Sequence, residues 1–159
     1  MAASVDVVEF QLGEEHYALD IQIAREIVEM MPITPLPRAP EYLAGIINLR
    51  GEITNIIDLR DLLGLPASAE AENRKIVVLM PDVASGSNVG IIVDDVHSVI
   101  SIHNEQIERI NDGITSSISG YVKAIIKIGD EEDEKTKTLI IWLDIQKVIS
   151  DLGYYQNAP

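Results

Sequence analysis

A mainly β protein, arranged as two small β-barrels sharing a core, is the fold class that three features of this 159-residue sequence predict. Almost half the residues are hydrophobic (47%), yet the chain has only one Phe, one Trp and five Tyr. The core must therefore be assembled from Val, Ile and Leu, which suits pleated sheet. About ten apolar segments of strand length are separated by turn signals, the spacing of a barrel or sandwich. Finally, two segments repeat one order of events. IINLRG…TNIIDLRDLLG and IIKIGD…LIIWLDIQKVISDLG each run strand, turn, strand, Asp, short apolar helix, Gly. Asp58 and Asp144 stand in matching places, which suggests an internal duplication with one helix closing each half.

The elements follow from local pattern. In VVEFQL, Val8, Phe10 and Leu12 fall on one face and Val7, Glu9 and Gln11 on the other. Gly13-Glu14-Glu15 turns the chain, and HYALDI resumes the alternation with Tyr17, Leu19 and Ile21 on one face, giving a hairpin. A helical turn at Ile21 to Ala24 and then a strand are expected in IQIAREIVEMM. Four of the seven prolines lie between Pro32 and Pro40, so MPITPLPRAP is an extended crossing excluded from a central strand, with Ile33 and Leu36 expected to be buried. A second hairpin, GIINLRGEITNIID, is tight at Arg50-Gly51-Glu52. Asp58 caps the helix LRDLL, which Gly64 ends. KIVVLM, NVGIIVD and DVHSVISI read as strands, NEQIERI as a helical turn, and GYVKAIIKI with TLIIWLD as a last hairpin. Its loop carries the acidic run Asp130 to Glu134, read as solvated rather than metal-binding. Ile145 to Leu152 forms an amphipathic helix.

Composition excludes several functions. With 26 acidic against 12 basic residues the formal net charge is −14, the wrong sign for nucleic acid or an anionic membrane surface. The absence of cysteine removes disulfide and thiolate chemistry and fits a reducing compartment. MAASVDVVEF shows no secretory signal, and no apolar run approaches the ~20 residues of a membrane span, so a cytoplasmic protein is expected. No GxSxG, phosphate-binding glycine loop or serine beside a base is present, and no catalytic residue is assigned. His16, His97 and His103 form no spaced ligand cluster, and Asp94-Asp95, as neighbours on a strand, point to opposite faces. No metal or cofactor is expected.

Arg50 stands out. A guanidinium cannot shed its charge by deprotonation, so a partly buried one needs an acceptor, in this protein or on another. The stretch that holds it, GIINLRGEITNIIDLR, with Gly-x-x-Asn-Leu-Arg-Gly, a strand and then Asp-Leu-Arg, resembles the CheW family, the coupling proteins of prokaryotic chemotaxis. EFQLGEEHYALDI is similar to that family's first hairpin, Arg25-Glu26-Ile27 to its third strand, and VGIIVDDVHSVISI to the start of its second barrel. Asn55 departs from a usual proline and Ala124 from a frequent glycine.

The resemblance implies one CheW-like domain over residues 1–159, made of two intertwined five-stranded β-barrels with short helices. It implies no catalysis, no cofactor and a cytoplasmic place in receptor arrays. Its partners would be the cytoplasmic tip of a methyl-accepting chemoreceptor and the regulatory domain of the histidine kinase CheA. It also places Glu26 on the strand neighbouring Asn48-Leu49-Arg50-Gly51, at the groove between barrels, so that an Arg50–Glu26 pair is expected, with Glu29, Glu52 and Asp58 as rival acceptors. Ala24, Ile27, Gly45, Asn48 and Val99 are further receptor- or kinase-binding candidates carried over from matching positions; for the apolar ones plain core packing is the competing reading. Other readings are a similar module serving another two-component pathway, or a small-barrel ligand-binding protein or enzyme. A nucleic-acid barrel would need a basic, aromatic sheet face, which one Trp and this charge do not supply.

Overall fold

The computed structural model describes residues 4–65, 73–108, 120–129 and 138–152. The first hairpin is β1 (Ser4–Leu12) and β2 (Glu15–Asp20). After a 3-10 turn, β3 (Ala24–Glu29) follows, then the hairpin β4 (Leu43–Leu49) and β5 (Glu52–Asp58), and helix α1 (Leu59–Leu63). Next come β6 (Lys75–Leu79), β7 (Val89–Val93), β8 (Asp95–His103) and the two-residue β9 (Ile107–Glu108). The hairpin β10 (Val122–Ile128) and β11 (Thr138–Leu143) leads into helix α2 (Ile145–Asp151).

Two sheets result. One has the order β8-β1-β2-β11-β10-β9, the other β3-β6-β7-β5-β4. The N-terminal hairpin is thus lent to the sheet of the C-terminal half, where β2 runs parallel to β11. The second sheet is built from residues 24 to 93 and has its own parallel pair, β5 with β7. The mainly β, two-barrel architecture stands, with one adjustment: the short β9 pairs with β10 and brings the first sheet to six strands rather than five.

Alternation along β1 explains why the two sheets cannot be separated. Val8, Phe10 and Leu12, with Tyr17 and Leu19 of β2, point into a core shared with Ile57, Val77, Leu79, Ile91 and Val93 of the other sheet and with Ile145, Val148 and Ile149 of α2. The opposite face of the same hairpin, Val7 and Ala18, packs with Ile102, Ala124, Ile126, Ile140 and Trp142 inside its own sheet. Ile47, Ile56, Ile76, Val78 and Ile92 fill the corresponding space in the second. Each fully buried aliphatic side chain contributes about 1.5–3 kcal/mol, so the hairpin is committed on both faces.

The repeated segments adopt matching geometry. β4–β5 shifts register between Leu43 and Gly45, β10–β11 between Val122 and Ala124. Asp58 N donates to Tyr42 O at 2.8 Å, and Asp144 N to Tyr121 O at 2.7 Å. Both aspartate side chains cap their helices, Asp58 accepting from Arg60 N and Asp144 from Lys147 N. Two apolar residues at the edge of regular structure are exposed, the second against the expected burial. Ile21 leaves the strand alternation as the 3-10 turn begins and is 36% exposed, and Leu36 in the proline-rich crossing is 38% exposed. Ile33 of that crossing does pack on the core. The acidic run 130–134 lies outside the described residues.

Candidate functional site

The β4–β5 hairpin closes with two residues, Arg50 and Gly51, between paired Leu49 and Glu52. Both have positive φ, 52° and 89°, the combination that matches a tight turn to the right-handed twist of its strands. Glycine adopts it freely; Arg50 does so as an exposed non-glycine residue. Asn48 Oδ1 accepts from Gly51 N at 2.8 Å and fixes the turn from within. The hairpin therefore presents the Arg50 side chain at a set angle.

Arg50 Nη2 donates to Glu26 Oε2 in an ion pair. The pair does form, but not between neighbouring strands: β3 and β4 are the two ends of the five-stranded sheet. They meet because the sheet curls and because the crossing after β3 returns to β4, where Thr34 and Ile46 exchange two backbone hydrogen bonds of 2.9 Å. Of the rival acceptors, Asp58 caps α1 and Glu29 lies 3.7 Å from Lys75. Glu52 lines the same cleft as Glu26, Arg50, Arg25 and Thr54. The Arg50 side chain is 64% exposed, so the pair contributes only ~0–1 kcal/mol to stability; its consequence is a fixed charged surface. Ile27 on β3 and Ile53 on β5 are exposed apolar residues of these same strands.

The other candidate residues separate. Asn48 is exposed and shapes the turn. Ala24 is half-buried against the shared core. Gly45 is buried, and a Cβ there would lie 2.3 Å from Thr34 O, so its glycine serves the close crossing of two backbones rather than a surface. Val99, 52% exposed, is on β8 in the other sheet.

Two features escaped sequence reasoning. The first is a buried ion pair joining the sheets: Arg60 of α1 donates to Asp94 Oδ2, which also accepts from Gly13 N at 2.7 Å. Asp95 instead accepts from Val96 N, so the two aspartates do not form a pair. The second is the meeting of His16 and His97, residues 81 positions apart in the chain, with Glu9. An apolar groove between α1 and the first sheet holds Tyr17 and Tyr121. Burial pushes both phenols above the ordinary value of 10.0; the negative charge of Glu15 adds to this at Tyr17, and a hydrogen bond to Asp151 at Tyr121. Among the described residues no helix is long and apolar enough to cross a membrane.

Comparison with known proteins agrees with this geometry. The model of the family described as CheW-like domain matches residues 6–153. The chemotaxis protein CheW of Treponema pallidum is 35% identical over 145 residues, covering 91% of this chain and 81% of that protein. Its counterpart in Thermotoga maritima is 29% identical, covering 92% and 89%. The crystal structure of the scaffolding protein TtCheW from Thermoanaerobacter tengcongensis superposes with a TM-score of 0.74 at 34% identity, covering 89% of each chain. With its two sheets, lent hairpin and Asn-Leu-Arg-Gly turn, the chain belongs to the CheW-like domain family.

Proposed function

We propose that this protein is a non-catalytic adaptor that couples the cytoplasmic tips of chemoreceptors to the histidine kinase CheA. The match to a family of chemotaxis and scaffolding proteins over residues 6–153 carries the reading. The surface supports it: the cleft under Arg50 is only about 20 Å³ and is lined by charges that neutralise one another, with exposed Ile27 and Ile53 on its strands. A charged rim beside exposed apolar residues suits protein contact better than a small substrate. Glu26, Ile27, Asn48 and Arg50 are the proposed docking residues, with Val99 on a separate face; Ala24 and Gly45 hold the strands that present them. The protein works in the cytoplasm and reaches the membrane through its partners.

The test is assembly from purified components. Immobilised receptor cytoplasmic fragment should retain CheA well only when this protein is added, and each partner should bind it alone. Retention of neither partner, or of one only, would refute the adaptor role.

A further inference from the structure

The six-stranded sheet carries a cluster whose chemistry the docking role does not use. Glu9 on β1, His16 on β2 and His97 on β8 place one ligand atom each within 4.8 Å of the others. Three separate strands converge here for identifiable reasons. Glu9 and Gln11 share a face of β1, and His16 pairs directly with Gln11. β8 has an extra residue in its pairing with β1: Glu9 faces Ser98 and Phe10 faces Val96, so His97 is the bulged position. Such a bulge re-aims a side chain, and the ring of His97 stacks on that of His16 with centroids 5.2 Å apart.

The hydrogen bonds set the imidazoles up as ligands. Gln11 Nε2 donates to Gly13 O at 2.8 Å, which turns its amide oxygen toward His97 Nε2, 3.1 Å away. That oxygen can only accept, so His97 carries its proton on Nε2 and keeps the lone pair of Nδ1 free. A metal-binding histidine usually donates its other ring N–H to such an acceptor. His16 Nδ1 and Glu9 Oε2 are 2.7 Å apart in a hydrogen bond that a cation held by both atoms would replace.

We propose that Glu9, His16 and His97 bind a divalent transition metal, Zn2+ in the first instance. Two imidazoles and one carboxylate, with a remaining position for water, is a ligand set that suits zinc and disfavours Mg2+ and Ca2+. Bonds of ~2.0–2.2 Å place tetrahedral ligands about 3.3–3.5 Å apart. His16 Nδ1 and Glu9 Oε2, 2.7 Å apart, must open by roughly 0.7 Å, while the His97 ligand atom, within 4.8 Å of both, moves in by up to about 1.4 Å, both within reach of side-chain rotations at this half-exposed to exposed cluster. A bound ion ties the edge strand β8 to β1 and β2.

Isothermal titration of the untagged full chain with ZnCl2 tests this. One ion should bind per chain, and at a hundredfold excess over the dissociation constant the melting temperature should rise by roughly 5–10 °C. His16→Gln and His97→Gln should each weaken binding at least tenfold, since even a residue that only orients a ligand is worth about 10–100-fold. His103→Gln, outside the cluster, should bind as the parent does, and MgCl2 should give no heat. Both histidine variants should melt as the parent does without metal, because the rings lie on the sheet surface. Absence of zinc binding, or binding that survives the double variant His16→Gln/His97→Gln, would overturn the assignment.

Discussion

Arg50, at the tip of the β4–β5 hairpin, is ion-paired to Glu26 at the opposite end of the same sheet, 24 residues earlier in the chain. The pair is exposed and so nearly neutral for stability, which makes it a clean probe of binding. Arg50→Glu should weaken receptor-fragment binding by roughly tenfold or more, the scale of an interface arginine, and impair kinase coupling through that loss. The urea midpoint should hardly move. Adding Glu26→Arg restores the pair with its charges exchanged and should recover part of the binding. Normal receptor-fragment binding and kinase coupling by Arg50→Ala would remove this residue from the docking surface.

Gly45 and Gly51 flank the same hairpin but answer to different constraints. At Gly45, φ is 148° and a Cβ would meet Thr34 O at 2.3 Å and Ile33 Cγ2 at 2.7 Å. Gly45→Ala should cost at least about 2 kcal/mol, because a clash with backbone adds to the conformational strain. Gly51 has φ 89° with open space around it, so Gly51→Ala should cost only about 1–2 kcal/mol. Urea titrations of the two variants give the comparison directly.

Local chemistry made most of this fold legible. The boundaries of α1 follow from Asp58 and Gly64, and the matched hairpins from a repeat visible in the letters. What stayed hidden depends on pairing between distant strands. That β3 and β4 are opposite sheet ends cannot be read from either strand, since each shows only its own alternation. The cluster of His16 and His97 rests on a one-residue bulge in β8, and a bulge leaves no mark in a continuous β pattern. The Arg50–Glu26 pair was reachable only because family resemblance supplied the long-range placement.

Arg60 and Asp94 pose the sharpest electrostatic test. The two residues are 7% and 9% exposed, and Asp94 Oδ2 also accepts from Gly13 N, with Arg74 Nε 3.9 Å from its other oxygen. Removing one member of a buried pair strands the other charge and typically costs about 3–5 kcal/mol. Asp94→Asn keeps the shape and an acceptor for Gly13 but not the charge, and should lose stability on that scale. Arg60→Met together with Asp94→Leu should be less damaging than Asp94→Leu alone, because the Arg60 charge is no longer stranded, while Gly13 N and Arg74 lose the Asp94 carboxylate in both. Chemical denaturation of the three chains checks the order.

Tyr17 is 5% exposed, and its phenol is held above 10.0 mainly by burial, with Glu15 adding and Arg60 opposing. The folded value exceeds the unfolded one near 10. The neutral phenol's contribution is therefore complete below about pH 10 and is lost as pH rises through the folded value. Stability should fall on alkaline titration. Tyr17→Phe should flatten that fall and leave a residue of it, because Tyr121 is shifted in the same direction. Urea midpoints measured between neutral pH and pH 11 give the slope.

A linker with two distinct sites has a concentration signature that an enzyme lacks. At low amounts each added molecule joins a receptor fragment to a kinase, and receptor-dependent CheA phosphorylation should change in proportion. In excess, receptor and kinase each carry their own copy, the joined complex declines, and the effect should reverse. A catalyst would instead saturate. Salt should divide the two contacts further. A contact through charged Glu26 and Arg50 weakens as the screening length falls below about 10 Å above 0.1 M salt, whereas an apolar barrel-to-barrel contact is only mildly affected. Titrating the protein into receptor fragment and CheA, at low and high salt, while following ATP-dependent phosphorylation tests both claims at once. A bell-shaped response whose receptor arm shifts with salt is expected. A response that rises to a plateau, or that is unchanged when the receptor fragment is left out, would contradict a bivalent adaptor.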